Sequence, residues 1–177
     1  MASAPYRIRT FGDPVLKQVA TEVTEIDGKL ARLVDDMLQT MYEAPGLGLA
    51  APQVGVQKRF FVYDLGDDPR VLINPVITES RGEWVYNEGC LSVPHLYFDI
   101  VRPKEIHLEG FDIDGNPVSI EADELLARLF QHELDHLDGR LLLELLDEEQ
   151  RRAAQRELRE RTLNSPEEPK PGLLGRR

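Results

Sequence analysis

Residues 132–136 read His132-Glu133-Leu134-Asp135-His136, inside a run from Asp123 to Leu137 whose Leu125, Leu126, Leu129, Phe130, Leu134 and Leu137 fall around most of a helical circumference. A helix apolar on most sides belongs in an interior. At helical pitch the two histidines stand about 40° apart and one turn from each other, so both imidazoles can grip one ion. Two histidines and a glutamate left without partners in an apolar interior would each cost about 1–3 kcal/mol. A divalent cation shared by His132 and His136 removes most of that penalty. Glu133 then projects to the neighbouring side, where it can take a proton from water without being a ligand.

The rest of the chain has to supply the surroundings of that helix. Between Asp27 and Ala44, Leu30, Leu33, Val34, Met37, Leu38 and Met41 recur at helical spacing, which predicts an amphipathic helix ended by Pro45-Gly46. A small-residue stretch, Gly46 to Gly55, follows. Phe60-Phe61-Val62-Tyr63, Val71-Leu72-Ile73 and Trp84-Val85-Tyr86 read as short strands, separated by Gly66-Asp67-Asp68-Pro69 and Ser80-Arg81-Gly82. Lys104 to Phe111 and Pro117 to Ile120 flank Asp114-Gly115-Asn116 as a hairpin. Gly139 is a C-terminal cap for the central helix, and Asp147 to Leu163 predicts a charged third helix. The order, strands before a central helix without βαβ alternation, predicts an α+β fold. Its picture is small antiparallel or mixed β-sheets packed around a central buried helix carrying HExxH, with an N-terminal and a C-terminal helix. Residues 1–164 read as one domain, and 165–177, rich in Pro, Glu and Gly, as a mobile tail.

A chain of 177 residues buries about 70% of its unfolded surface, so the ion is not required for folding and a catalytic role fits better than a structural one. Structural zinc sites use four protein ligands, commonly cysteine pairs; this chain has one cysteine, Cys90, and only two further histidines, His95 and His107. Three ligands plus water is the expected count. A downstream glutamate, Glu157 or Glu160, would make a zincin-type metalloprotease, but both sit among Arg151, Arg152, Arg156, Arg159 and Arg161, where solvated ion pairs explain them. The metzincin position, six residues after His136, is Leu142. Upstream, Glu88-Gly89-Cys90-Leu91-Ser92 offers Cys90 after a strand, though a lone cysteine is more often a small buried hydrophobe. One cysteine forbids an internal disulfide and fits a reducing compartment. The net charge of -11 argues against broad nucleic-acid or anionic-lipid binding. No segment reaches the length of a membrane span, and the expectation is a cytoplasmic protein.

Three segments in order, Gly46-Leu47-Gly48-Leu49-Ala50-Ala51-Pro52-Gln53, Glu88-Gly89-Cys90-Leu91-Ser92 and His132-Glu133-Leu134-Asp135-His136-Leu137-Asp138-Gly139, resemble the three motifs of bacterial-type peptide deformylases. The resemblance runs from the N-terminus through the third helix. It implies one divalent ion held by Cys90, His132 and His136 with a water in the fourth position, ferrous iron in cells with zinc, nickel or cobalt also accepted. The implied substrates are N-formylmethionyl peptides, hydrolysed to formate and a free N-terminus. Glu133 would move the proton from the attacking water to the departing amine, while the Gln53 amide and the Leu91 backbone N–H meet charge on the carbonyl oxygen. Leu47, Gly48 and Gly89 would pair with extended substrate.

Tyr86, Glu88, Leu125, Arg128, Leu129 and His132 would form the methionine pocket. Tyr86 and Arg128 depart from the family's usual apolar residues, and Arg128 is expected to cover apolar surface with its stem while its head reaches water. Glu88 and Arg102 would be either a buried pair or two surface charges. The Arg152, Arg156 and Arg159 row is similar to a helix that docks on the ribosome, with a solvated face as the simpler alternative. Two rival functions stay open at this point: the zincin-type protease, and a non-catalytic metal-stabilised module that binds ribosomes.

Overall fold

The structure, a computed structural model, describes residues 3–165. Helix α1 (Gly28–Glu43) precedes seven strands: β1 (Gly48–Ala50), β2 (Phe60–Tyr63), β3 (Arg70–Arg81), β4 (Trp84–Cys90), β5 (Val93–Arg102), β6 (Glu105–Phe111) and β7 (Pro117–Asp123). Helices α2 (Glu124–Leu137) and α3 (Glu148–Asn164) follow. The strands form a five-stranded sheet in the order β1-β2-β3-β6-β7 and a separate pair, β4-β5, with every ladder antiparallel. Among the described residues this is an α+β fold with three α-helices. Among the described residues no helix is long and apolar enough to cross a membrane. All but the first residue of the expected tail lies outside the described residues.

Three departures from the sequence expectation bear on the site. The stretch after Gly46 is not merely a loop, because Gly48–Ala50 pairs with Phe61–Tyr63 as the edge of the larger sheet. Strand β3 continues through Ser80 and Arg81, where a turn was expected, because Ile106 and Glu105 of β6 pair with them. Strand β5 was not anticipated at all. Pro94 and His95 near its start obscure an alternation whose inward Val93, Ile100 and Arg102 are set by the partner strand.

Helix α1 begins where the Asp27 carboxylate accepts the Leu30 N–H at 2.9 Å, satisfying one of the open donors of a first turn. It buries Leu30, Val34, Met37 and Met41 against Leu49, Phe60, Val62 and Ile73. Helix α2 is anchored on the same sheet: Phe130 is fully buried, its ring 5.8 Å from Phe61 and 5.1 Å from Tyr63, packing that is worth about 1.5–3 kcal/mol in burial alone. Gly139 ends it with φ 72°, and a Cβ there would stand 2.8 Å from the Lys17 carbonyl oxygen, so both the turn and the close approach require glycine. The β4-β5 pair packs instead on a third apolar cluster, made by Leu16, Leu141, Leu142, Leu143, Leu146, Ala154 and Leu158.

Candidate metal centre

Helix α2 places the Nε2 atoms of His132 and His136 3.2 Å apart. Cys90, the last residue of β4, brings Sγ to 3.3 Å from His136 Nε2, and one ligand atom from each of the three residues lies within 4.8 Å of the others. A tetrahedral ion with about 2.3 Å to sulfur and about 2.0–2.1 Å to nitrogen needs ligand separations of roughly 3.3–3.6 Å. The two edges at His136, 3.2 and 3.3 Å, come close to these separations. Two imidazole nitrogens facing each other at this range also need a cation or a proton between them, so the donor set and its geometry both suit a divalent metal.

Local irregularity aims the sulfur. The ladder pairs Gly89 with Tyr97 and then Cys90 with Val93, so Pro94, His95 and Leu96 bulge out and Cys90 turns toward α2. A Cβ at Gly89 would lie 2.4 Å from the Tyr97 ring, so glycine leaves that exposed ring its place over the strand. The Ser92 N–H donates to Cys90 Sγ at 3.4 Å.

Behind the histidines lies a buried ion network. Glu88 accepts from Arg102 through both its oxygens, at 2.7 and 3.0 Å, from Arg128 at 3.0 Å and from His132 Nδ1 at 2.5 Å. Arg102 reaches on to Asp135 at 2.8 Å. The alternatives for Glu88 and Arg102 therefore resolve to a buried pair. Arg128 departs from expectation: only 3% exposed, it points into the protein, donating to Glu88 and to the carbonyls of Ile100 and Trp84, because β4 and β5 supply acceptors where water was expected. Glu88 lines the cavity but has its carboxylate spent on this network.

The network and burial tune the charges. For Glu88, burial pushes the pKa up, but the hydrogen bonds from His132 and Arg102 outweigh it and hold the carboxyl below its usual range. For His132, burial opposes charge, yet Cys90 and Glu88 lift it well above the ordinary value, while burial and the neighbouring His132 push His136 well below it. Of the two imidazoles, His132 is the one that favours a positive charge. Glu133 is raised to about 7, chiefly by burial. Its Oε2 has no hydrogen-bond partner, and a Cβ at Gly48 would stand 2.6 Å from its Oε1, so the glycine in β1 leaves the carboxylate its room.

Gln53 is held at both ends of its amide: Oε1 accepts the Ala50 N–H at 2.9 Å and Nε2 donates to Ser92 Oγ at 3.0 Å, leaving one N–H over. Leu47, Gly48, Gln53, Tyr86, Glu88, Gly89, Cys90, Leu91, Leu125, Arg128, Leu129, His132 and Glu133 line one cavity of about 460 Å³; His136 lies just behind it. Sequence reasoning gave no role to Asp135 or Ser92. The first stands at a wildcard position of HExxH, and the second was visible only as part of a motif. Glu157, the zincin-type alternative, pairs with Arg161 on α3, and Arg152 pairs with Glu148 there.

Comparison with known proteins bears on the same residues. The profile described as Polypeptide deformylase matches residues 5–152. A peptide deformylase of Agathobacter rectalis is 54% identical over 140 residues, covering 79% of this chain and 89% of that one. One of Acidothermus cellulolyticus is 48% identical over 153 residues, covering 86% and 85%. Among solved structures, a peptide deformylase of Synechococcus elongatus in complex with actinonin superposes with a TM-score of 0.84 at 43% identity, covering 89% of this chain and 87% of that one.

Proposed function

Because this chain belongs to the polypeptide deformylase family, and is a metal-dependent hydrolase that removes the N-formyl group from newly synthesised polypeptides, we propose that Cys90, His132, His136 and Glu133 carry the reaction. The observation behind this is the meeting of three ligand atoms within 4.8 Å beside a buried carboxylate with an unpartnered oxygen. Helix α2 is then the central element of the fold, and residues 1–164 one catalytic domain. Cys90, His132 and His136 would hold one divalent ion, ferrous iron in cells with zinc, nickel or cobalt as substitutes, which when bound supplies Lewis acidity that makes water a nucleophile near neutral pH.

The chain's own residues do the rest. Glu133, poised at about 7, accepts a proton from water at neutral pH and returns it to the amine as the C–N bond breaks, releasing formate. The spare Nε2–H of Gln53 and the Leu91 N–H meet the charge that grows on the formyl oxygen. Gln53 can do so without reorganising, because Ala50 and Ser92 already fix its amide. An extended peptide lies between the edge of β1, at Leu47 and Gly48, and Gly89 of β4. Its first side chain enters between Tyr86, Leu125, Leu129 and His132, with the Arg128 stem and Glu88 behind. The row of Arg152, Arg156 and Arg159 on α3 would meet the ribosome, and the site of action would be the cytoplasm.

The deciding assay is formate release from a formyl-Met-Ala peptide by the wild type and Cys90→Ala. The expected result is rapid release by the wild type and loss of both metal and formate in the variant. Metal retained by Cys90→Ala together with cleavage of internal peptide bonds would replace this reading with the protease.

A further inference from the structure

The support of His132 extends one residue beyond Glu88. Oε1 of Glu88 accepts from Arg102 at 2.7 Å and from His132 Nδ1 at 2.5 Å, while Oε2 accepts from Arg102 and Arg128, each at 3.0 Å. Four donors fill the carboxylate's four lone-pair directions, so its plane has no freedom left. Arg128 precedes His132 by one helical turn and stands on the same face of α2. Its guanidinium continues past Glu88 to the carbonyl of Ile100, at 2.9 Å, and to that of Trp84. Those carbonyls belong to opposite strands of the β4-β5 pair, which shares no ladder with the larger sheet. The guanidinium also lies 5.5 Å from the ring centroid of Trp84 and 5.9 Å from that of Tyr86.

One side chain of the helix that carries the imidazoles therefore grips the strand pair that carries the sulfur. Arg102 makes the reverse tie, from β5 to Asp135 on α2. We propose that Arg128 is a positioning residue for the metal centre: it holds Glu88 against His132 Nδ1 and holds the β4-β5 pair, with Cys90, at a fixed distance from α2. The inference rests on the reading of Cys90, His132 and His136 as ligands. Groups behind a metal-bound histidine typically change affinity 10–100-fold when removed, and a guanidinium that serves three acceptors has no equivalent in the point charge of lysine.

The test uses cobalt(II) as the probe, added to the full chain as wild type, Arg128→Met, Arg128→Lys and Leu108→Ala, the last weakening the larger sheet without touching Glu88. Cobalt affinity is read by chelator competition, ligand geometry by the visible absorption of the ion, and folding by circular dichroism. The wild type should show a thiolate-to-cobalt band. Arg128→Met should hold cobalt about 10–100-fold less tightly with shifted absorption, and Arg128→Lys should fall between. Leu108→Ala should bind as the wild type does, although it melts earlier. A folded Arg128→Met with wild-type affinity and spectrum would overturn the inference; if that variant does not fold, wild-type behaviour of Arg128→Lys overturns it instead. A wild type without the thiolate band would sink the ligand assignment and this inference with it.

Discussion

The five-stranded sheet and the β4-β5 pair are held to α2 by different physics. The first is joined to α2 by apolar burial, with Phe61, Leu72, Ile106 and Leu108 against Phe130, Leu134 and Leu137. The second faces α2 through paired charges: Glu88, Arg102 and Arg128, which are buried, and Asp135, which is half-buried. Apolar packing is non-directional and tolerates small shifts, whereas a bidentate carboxylate pair fixes distance and orientation. The directional joint lies where the three ligand atoms must meet. Stability can come from either region, but on the proposed ligand set the registration of Cys90 with the two histidines comes from the charged one.

The largest expected effect isolates chemistry from both. Glu133→Gln should lower turnover about 10²–10⁴-fold, measured by formate release. At neutral pH and above its melting temperature should equal or exceed that of the wild type, because a carboxyl raised to about 7 by burial costs stability as pH climbs from the unfolded value of about 4.3 to 7, and the amide carries no such cost. A parallel loss of both would mean that Glu133 is structural. Gln53→Ala should fold normally and lose about 10²–10³-fold, and near-wild-type turnover would remove it from the oxyanion site.

A matched pair then separates the two regions. Arg102→Met strands a buried Glu88 partner and should cost about 3–5 kcal/mol by denaturant melts together with weaker metal binding. Leu108→Ala should cost about 2–5 kcal/mol and leave metal content at one ion per chain. Equal metal loss in both would erase the contrast.

The smallest effect is acid sensitivity. Glu88 is held below its usual pKa, so its contribution is complete above the unfolded value of about 4.3 and is lost as pH falls through the lowered one. The only tryptophan, Trp84, sits on β4, and its fluorescence should report loosening of that strand below about pH 4 before circular dichroism reports loss of the whole fold. Simultaneous transitions would show that the two regions unfold as one.

What the sequence disclosed follows the same division. Helices α1 and α2 were legible because their apolar residues repeat every turn, and the β6-β7 hairpin because Asp114-Gly115-Asn116 marks it. The coming together of Cys90 with His132 and His136 was legible only through the resemblance, since nothing local in a lone cysteine points 46 residues along the chain. Arg128 was misread for the same reason. A helix arginine looks solvated until strands 28 and 44 residues away bring carbonyls to it. Strand β5 escaped because its inward residues include Arg102, polar by type yet buried by its partners.

Strand β1 is three residues long, and its far side is one of the two open edges of the larger sheet among the described residues. An open edge is normally an invitation for another copy of the same chain to zip on and begin an aggregate. So short a strand offers a foreign sheet too few main-chain bonds to offset the ordering of a long segment, yet enough to register a few residues of a passing guest. If substrate pairs here as proposed, the brevity of this edge keeps an unpaired strand from recruiting further copies of the chain.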